Sequence, residues 1–378
     1  MAEKQILILG GYGETGRRLT RRLLNRIPSR VIIAGRNARK AAMFASELNQ
    51  QFQNERAKGI ELDANNFTDV RRNLENVNLF IQAGPAFPVK TIKGLIQAVL
   101  DTGVDWIDIQ LASSQAAALK PFNERMKEEK RCCITQCGFH PGVPAAMVRW
   151  AAKELHTLYS AQASSFLNPE NGLALTSGVD ELIVLFNNYK AHIYENGKWQ
   201  KVNITSANSF KKIKFAFGFG AHTTSPMDLE EMKPLPEIFP ELRKTGFYIG
   251  GFNPITNNIT TPLIMAGIKL LPWIKPETWG KLYCRSIKAF RKPPYGNILQ
   301  VDAEGVLDGK SVKLQLALKH KDEYELTAIP IISMIEQLFD GSVRKYGLHR
   351  MALFIDPERM LKDIQEMGVD VHIERKNV

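Results

Sequence analysis

A short apolar run that ends in a cluster of glycines sets the strongest constraint on this chain. Residues 6 to 16 read ILILGGYGETG, and four glycines fall within them: Gly10, Gly11, Gly13 and Gly16. An uninterrupted apolar run is typical of a strand buried on both faces of a parallel sheet. Residues 15 to 26 follow with leucines at helical spacing and arginines on the other face. The pattern therefore predicts a strand, a glycine turn and a helix.

The same alternation of strands and helices continues to about residue 140. Further strand-like runs are 31–34, 59–62, 77–82, 104–109 and 132–136. The stretches between them have helical spacing or a polar helical composition at 38–52, 90–101 and 115–130. Alternating strands and helices indicate parallel βαβ units. The predicted fold class is α/β, with a Rossmann-type doubly wound parallel sheet and a second α+β substrate domain.

The character of the sequence changes after about residue 145, where strand-like, aromatic-rich segments become common. A chain of 378 residues has room for two or three domains. We predict a dinucleotide-binding domain at 1–145, an α+β substrate or dimerisation domain at 146–325, and a C-terminal helical segment at 326–378 that packs back on the first domain.

The glycine cluster matches the dinucleotide fingerprint G-x-G-x-x-G in the context that the motif requires. Gly11 permits the tight turn, Gly13 lets the backbone approach a pyrophosphate, and Gly16 lets the helix lie close to the strand. A helix N-terminus binds the pyrophosphate through free N–H groups. The predicted cofactor-binding residues here are Gly11, Tyr12, Gly13, Glu14, Thr15 and Gly16. The alternative is a glycine turn with a structural role alone.

The end of the second strand indicates which dinucleotide the chain prefers. NAD sites place an Asp or Glu at this position, where it holds the ribose 2′-hydroxyl. Residues 34–37 read AGRN instead, and Arg36 can pair with a 2′-phosphate, with Arg39 and Lys40 close behind. The prediction is NADP in preference to NAD, with Arg36 and Asn37 at the cofactor. The alternative is a solvated basic start to the second helix.

Two further loops follow predicted parallel strands. Asp63 follows the third strand and could meet the adenine amino group, or it could cap a helix. Gly84 and Pro85 follow the fourth strand, where a small residue would let the nicotinamide half of the cofactor approach. Ligands bind at this edge in doubly wound sheets.

Charge and cysteine content narrow the class of protein. The net charge is +11, which favours acidic partners such as phosphorylated cofactors or a small anionic substrate. The basic residues are spread out without a nucleic-acid recognition motif, so no nucleic acid is expected. The four cysteines lack the spacing of a disulfide framework or a zinc site, which predicts a reducing, cytoplasmic location and no metal. The first residues lack a signal-peptide pattern.

The motifs occur in an order that resembles the saccharopine dehydrogenase-like NAD(P)-dependent oxidoreductases. The matching segments, within about residues 5 to 150, are GGYGETG at 10–16, AGRN at 34–37, LDANN at 62–66, QAGP at 82–85, VDWIDI at 104–109 and QCGFHPGVP at 136–144. The resemblance implies a Rossmann domain that carries NADP and a second domain that closes over a small substrate. It also implies hydride transfer to or from a C=N bond of the amino- or imino-acid type, a CH–NH group, and a possible homodimer.

Candidates for the chemistry and for substrate binding follow from position. His140 lies in the GFHPGVP loop and Asp108 lies on the fifth strand, and both are candidate acid/base residues; each could instead be structural. Ser177, Arg243 and Arg285 are weaker candidates for substrate binding in the second domain.

Three alternatives stay open at this point. One is a non-catalytic NADP-binding sensor or scaffold. Another is a membrane-associated lipid-type reductase, since residues 259–294 look closer to lipid-linked relatives of the family. The third concerns residues 259–292, whose apolar side chains beside lysines and arginines could contact an anionic membrane surface. A core helix followed by a basic loop is the interpretation of residues 259–292 that we favour from sequence.

Overall fold

The computed structural model describes residues 3–377 except 112, 174, 176–178, 180–181, 185, 187–188, 190 and 203–209. The chain divides into two compact units. The first unit comprises Met1–Ala146 and Tyr324–Met367, and the second comprises Met147–Glu323 and Gly368–Val378.

The first unit is built on a parallel sheet, which confirms the predicted fold class. Its strands are β1 (Lys4–Leu9), β2 (Ser29–Gly35), β3 (Ala57–Glu61), β4 (Leu79–Gln82), β5 (Asp105–Asp108), β6 (Cys132–Thr135) and β15 (Gly347–Arg350). Their order across the sheet is β15-β6-β5-β4-β1-β2-β3, with parallel pairings throughout. The order reverses at β1 and β4, and such a switch point is where doubly wound sheets bind ligands.

Amphipathic helices connect these strands. Helix α1 (Glu14–Arg26), for example, buries Leu19, Leu23 and Leu24 at helical spacing. The other helices in or bordering the first unit are α2 (Ala38–Phe52), α3 (Phe67–Asn73), α4 (Val89–Asp101), α5 (Ser113–Leu119), a 3-10 turn (Lys120–Phe122), α6 (Asn123–Glu128), α7 (Pro144–Glu154), α11 (Glu323–Asp340), α12 (Met351–Phe354) and α13 (Pro357–Glu366). The predicted helix at 115–130 is therefore three shorter pieces.

The second unit contains a mixed sheet. Its strands are β7 (Thr157–Asn168), β8 (His192–Glu195), β9 (Lys198–Lys201), β10 (Lys211–Phe215), β11 (Gly220–Met227), β12 (Lys244–Gly251), β13 (Gly296–Leu307), β14 (Lys310–His320) and β16 (Asp370–Asn377). The main order is β10-β11-β12-β7-β13-β14-β16, and the β8–β9 hairpin pairs with β12. The turn at Asp308-Gly309 joins β13 to β14, and both of its residues have positive φ.

The helical part of the second unit differs from the prediction. The described elements are a 3-10 turn (Glu230–Met232), α8 (Leu235–Ile238), a π-helical turn (Thr256–Thr260), α9 (Thr261–Leu270) and α10 (Pro276–Phe290). Helix α9 is not a core helix, because Ile264 alone among its residues, all of them described, is fully buried. The expected basic loop after it is the helix α10. Within the described residues, no helix is long and apolar enough to span a membrane.

The end of the chain also corrects the prediction. Residues 326–378 were expected to be helical, yet they include two strands, β15 and β16. Strand β16 pairs antiparallel with β14 from Asp370 to Asn377 and so belongs to the second unit. Its backbone N–H and C=O groups are satisfied by pairing with the edge of the sheet, which a charged sequence such as DVHIERKN does not reveal. The domain boundaries proposed from sequence stay predictions.

We expect Gly59→Ala to destabilise the first unit by roughly 1–3 kcal/mol, the usual cost of overpacking. A Cβ at Gly59 would lie 2.3 Å from the carbonyl carbon of Ala41, so α2 could not pack this closely on β3. Thermal melting followed by circular dichroism measures the effect. The exposed neighbour Lys58 offers the matched control, since Lys58→Ala should change stability by less than about 0.5 kcal/mol. Equal melting of both variants would contradict the packing argument.

Candidate nucleotide-binding site

The glycine loop after β1 is the most tightly packed turn of the site. Gly10 adopts φ +86° and donates its N–H to the Ala34 carbonyl of β2 at 2.8 Å. A Cβ on Gly16 would lie 2.2 Å from the Gly10 carbonyl oxygen, so any larger residue would push α1 away from the loop. Gly11 is buried, and its Cβ would crowd Ile8 and Ile33. Gly16 thus lets α1 pack closely on the loop, and the residue with positive φ in the turn is Gly10 rather than Gly11.

The N-terminus of α1 presents unpaired backbone donors. Gly13 is the N-cap residue; it is exposed and has no side chain with which to cap the helix. The first-turn N–H groups of Glu14, Thr15 and Gly16 have no acceptor within a helix. Glu14, which would repel an anion here, is paired with Arg18 at 2.7 Å. The geometry and the helix dipole together make an anion-binding site.

Tyr12 connects the glycine loop to the end of β2. Its hydroxyl oxygen accepts a hydrogen bond from the Asn37 N–H at 3.0 Å. Its ring occupies the space beside Gly35, where a Cβ would lie 2.6 Å from the Tyr12 hydroxyl. Tyr12 was predicted as a cofactor contact; its bracing of residues 35–37 could not be foreseen from spacing. Gly35 of the AGRN segment therefore has no room for a side chain, because the Tyr12 ring fills that space.

Three exposed cations lie directly after β2. They are Arg36, Arg39 and Lys40, and none forms an ion pair with a residue that the structure describes. Asn37 is the N-cap of α2, and its side chain accepts from the Lys40 N–H at 2.9 Å. Asn37 therefore fixes the backbone where β2 passes into α2. The three cations make this corner, residues 35–37, positively charged.

Asp63 follows β3 at the same edge of the sheet. It is exposed, and its carboxylate accepts hydrogen bonds from the Asn65 backbone and side-chain N–H groups at 3.0 and 3.3 Å. The helix-cap alternative for Asp63 is wrong, because Asn66 caps α3 by accepting from the Asp69 N–H. Asp63 instead closes a tight turn and keeps lone pairs for a ligand.

Gly10 and Gly84 meet at the switch point of the sheet. A Cβ on Gly10 would lie 2.6 Å from the Cα of Gly84, so the loops after β1 and β4 touch through their glycines. A Cβ on Gly84 would have only ordinary contacts, the nearest at 3.7 Å, and Pro85 next to it is exposed. The space above Gly84 is therefore open.

A group of buried glutamines lies below Gly84, and sequence reasoning missed it. Gln110 donates to the Gly84 carbonyl at 2.9 Å, and Gln115 donates to Gln82 at 2.7 Å. The side-chain oxygens of Gln110 and Gln115 are buried without a donor among the described residues. An unsatisfied buried acceptor is costly, which makes such atoms candidates for contact with a ligand donor. Glutamine in a strand-end loop gives no signal in a single sequence.

The structure places Asp108 inside the sheet rather than at its surface. Its side chain is fully buried and accepts from Trp106 Nε1 at 2.9 Å, Thr135 Oγ1 at 2.9 Å and the Gln110 and Gln136 N–H groups. Burial raises the pKa of the carboxyl, and the donors act against that rise. Such an arrangement ties β5 to β6 and supports a structural role.

His140 lies in a closely folded loop after β6. Gly142 packs on the backbone of Gly138, where a Cβ would lie 2.5 Å away from its carbonyl oxygen. The His140 ring meets Phe139 edge-on at 4.7 Å and keeps part of its surface exposed. Loss of hydration lowers the pKa of His140 to about 4, so the imidazole is neutral at pH 7. A neutral imidazole can accept a proton at one ring nitrogen, and the N–H on the other donates hydrogen bonds but is only a very weak acid.

One edge of the parallel sheet thus collects the candidates of the first unit. The glycine loop, Arg36, Asp63, Gly84 and His140 all follow the carboxyl ends of strands that neighbour one another. Arg350 ends β15 at this edge and donates to Gln136 at 3.0 Å, a further contact that the sequence did not predict.

The substrate candidates of the second unit are dispersed. Ser177 lies outside the described residues. Arg243 precedes β12 and places its guanidinium 5.2 Å from the centre of the Tyr159 ring. Arg285 is an exposed residue of α10. Arg243 and Arg285 thus belong to different elements, and neither is in an ion pair with a described residue.

Three of the four cysteines are buried. All four cysteines are free, and burial raises the pKa of Cys132 to about 12. Within the described residues, no group of three or more His, Cys, Asp or Glu side chains is placed to hold a metal ion.

Comparison with solved structures identifies the architecture. The apo histidine-tagged saccharopine dehydrogenase (L-Glu forming) from Saccharomyces cerevisiae superposes with a TM-score of 0.71, covering 99% of this chain and 100% of that one at 13% identity. The chain has a saccharopine dehydrogenase-like fold. The predicted resemblance is confirmed at the level of the fold.

Other similarities are weaker. A lactate dehydrogenase from Eimeria maxima covers 41% of this chain and 50% of that one, with a TM-score of 0.30 and 14% identity, too low to support an argument. No family model and no curated protein sequence matches the chain.

We expect an NMR titration of ¹⁵N-labelled imidazoles to give His140 a pKa of about 4, with the His140→Gln variant identifying its signal. Between this pKa and about 6.5 the unfolded chain binds a proton that the folded chain excludes, so His140 lowers stability as the pH falls through this window. As the pH falls from about 6.5 to about 4, the free energy of unfolding should decrease less in His140→Gln than in the wild type. Titration of His140 near 6.5 would show that the imidazole is hydrated.

Proposed function

We propose that this protein is an NADP-dependent oxidoreductase that transfers a hydride to or from a C=N bond, of the CH–NH type, in a small anionic substrate. The observation that carries the proposal is the N-terminus of α1, which has no side-chain cap, beside three cations at the end of β2 that form no ion pair within the described part of the chain. The saccharopine dehydrogenase-like fold supports an oxidoreductase that uses a nicotinamide cofactor.

The residues present fit a nicotinamide dinucleotide. The first-turn N–H groups of α1 would bind the pyrophosphate, and Gly13 leaves the approach open. The open space above Gly84 would admit the nicotinamide half. The unpaired oxygens of Gln110 and Gln115 have the chemistry to accept from a carboxamide.

NADP is favoured over NAD by charge. A 2′-phosphate would lie beside Arg36, with Arg39 and Lys40 adding attraction, and residues 34–37 contain no carboxylate to repel it. Tyr12 would hold the corner in shape through its hydrogen bond to the Asn37 N–H. Asp63 would lie on the adenine side, since it follows the neighbouring strand β3.

The nicotinamide supplies or accepts the hydride, and the chain supplies orientation and a proton site. His140, neutral at pH 7, would take up the proton that an amine releases on oxidation. Asp108 would contribute by holding the ends of β5 and β6 in place. The homodimer, the cytoplasmic location and the substrate contacts of Arg243 and Arg285 stay predictions.

Fluorescence titration with NADPH and NADH tests the cofactor. We expect NADPH to bind at least about tenfold more tightly, a difference of about 1.4 kcal/mol, and Arg36→Ala to remove the preference. Lys58→Ala, which removes an exposed cation from the middle of β3, should keep it. Equal binding of NADH by the wild type would refute the NADP assignment, and no binding of either nucleotide would refute the function itself.

A turnover assay tests the reaction. We expect NADPH to be consumed in the presence of 2-oxo acids with ammonia or amino acids as partners. In the reverse direction, NADP should be reduced by the matching product, a primary amine for ammonia and a secondary amine for an amino acid. The rate of amine oxidation should fall in His140→Gln while NADPH affinity stays the same, because the imidazole acts on the proton and not on the cofactor. Tight NADPH binding without turnover across the panel would instead identify a non-catalytic NADP-binding protein.

A further inference from the structure

An apolar stripe on the second unit is left uncovered by the fold of the chain. It consists of Ile259, Leu263, Ala266, Leu270 and Trp273, at successive spacings of four, three, four and three residues. On α9 (Thr261–Leu270) this spacing places Leu263, Ala266 and Leu270 along one face, while Ile259 lies in the π-helical turn before the helix and Trp273 lies in the turn after it. The four large members are between 59% and 74% exposed, and Ala266 is exposed too. The described residues leave this regular apolar face exposed to solvent. Such a face indicates a surface that binds another molecule or a membrane.

The opposite face of the same helix is packed. Ile264 of α9 is fully buried in one apolar cluster with Tyr283 and Ile287 of α10. The ring of Trp279 lies directly over Gly267, four residues after Leu263 and therefore beside the apolar stripe, where a Cβ would come within 2.4 Å of it. These contacts fix α9 against α10 and leave the apolar stripe on the outer side of the pair.

A basic stripe lies on the outer side of α10. Lys281, Arg285 and Lys288 are exposed at spacings of four and three residues, and Lys292 continues the series beyond the helix. Since each residue of a helix turns by about 100°, these positions lie opposite Tyr283 and Ile287. Lys269 and Lys275 are exposed as well, and they flank Leu270 and Trp273 along the chain, so cations also lie next to the apolar stripe in sequence.

The charge of this segment stands out from the rest of the chain. Residues 253–295 contain seven lysines and arginines and one carboxylate, Glu277, a net charge of +6 out of +11 for the chain. None of the seven cations forms an ion pair with any described residue. Elsewhere many arginines are paired, as Arg26 is with Glu336. These cations lie beside exposed leucine and tryptophan side chains. This combination is complementary to a partner surface with an anionic outer layer and an apolar interior.

We infer that the α9–α10 pair binds the surface of an anionic lipid bilayer, with the apolar stripe inserted at the headgroup level and the basic stripe on the phosphates. Tryptophan favours this interfacial depth, and long cationic side chains reach headgroups while their stems stay apolar. Neither stripe is long enough to span the bilayer, so the contact is peripheral. The proposal is independent of the nucleotide site.

Vesicle flotation tests the inference. We expect the protein to float with vesicles of phosphatidylcholine and phosphatidylglycerol, and at least about tenfold less with phosphatidylcholine alone. Raising the salt from about 0.1 M to about 1 M should release it, because the screening length falls from about 10 Å to about 3 Å. Emission from Trp273 should shift to the blue on binding, and Trp273→Phe should remove this shift.

Two pairs of variants separate the stripes from general surface effects. Leu270→Asp with Trp273→Asp should abolish flotation, whereas Met43→Asp, an exposed apolar residue on α2, should not. Lys281→Glu with Lys288→Glu should reduce binding at least about tenfold, whereas Lys90→Glu with Lys93→Glu, an equal charge change on α4, should change it much less. Unchanged circular dichroism and NADPH titration confirm that each variant is folded.

Three results would overturn the inference. The wild type could fail to float with anionic vesicles, or it could bind neutral and anionic vesicles equally. It could also sediment as a dimer that Leu270→Asp with Trp273→Asp dissociates, without vesicle binding by either, which would make the apolar stripe an interface with a second copy of the chain.

Discussion

The contact between the start of α1 and the turn after β1 constrains the whole nucleotide edge. Gly16 lies against the Gly10 carbonyl, and Gly10 lies against Gly84, so three backbone segments meet without an intervening side chain. This close approach positions the helix N-terminus at the switch point, where β1 lies between β2 and β4. The anion site, the open space above Gly84 and the corner at Arg36 all take their positions from it.

The sequence was sufficient for the parallel sheet because its signals are local. Apolar strands such as Ile6–Leu9, with a helix of matching period after them, identify βαβ units without knowledge of the partner strands. Residues whose environment depends on distant segments were not predictable in the same way. Tyr12 could be placed near the cofactor, yet its hydrogen bond to the Asn37 N–H requires the register of β1 with β2. The neutral state of His140 likewise follows from its burial in the folded loop.

For the helices at 259–292, the sequence predicts an apolar face but not which surface covers it. An apolar helical period predicts that one face will avoid water, but it does not show what will cover that face. In α9 the buried position is Ile264, while Leu263, Ala266 and Leu270 are exposed, as are Ile259 before the helix and Trp273 after it. The same period fits a core helix and an interfacial one, and the difference lies in the unpaired cations of the adjoining helix.

The placement of β15 and β16 has a consequence for the order in which the protein can fold during synthesis. The first unit needs β15, whose partner β6 lies more than 200 residues earlier, and the second unit needs β16 at the end of the chain. Strands β6 and β14 therefore lack these partners until the segments that form β15 and β16 have been synthesised. Pairing between strands as far apart in sequence as β6 and β15 forms slowly, because a long loop must close first.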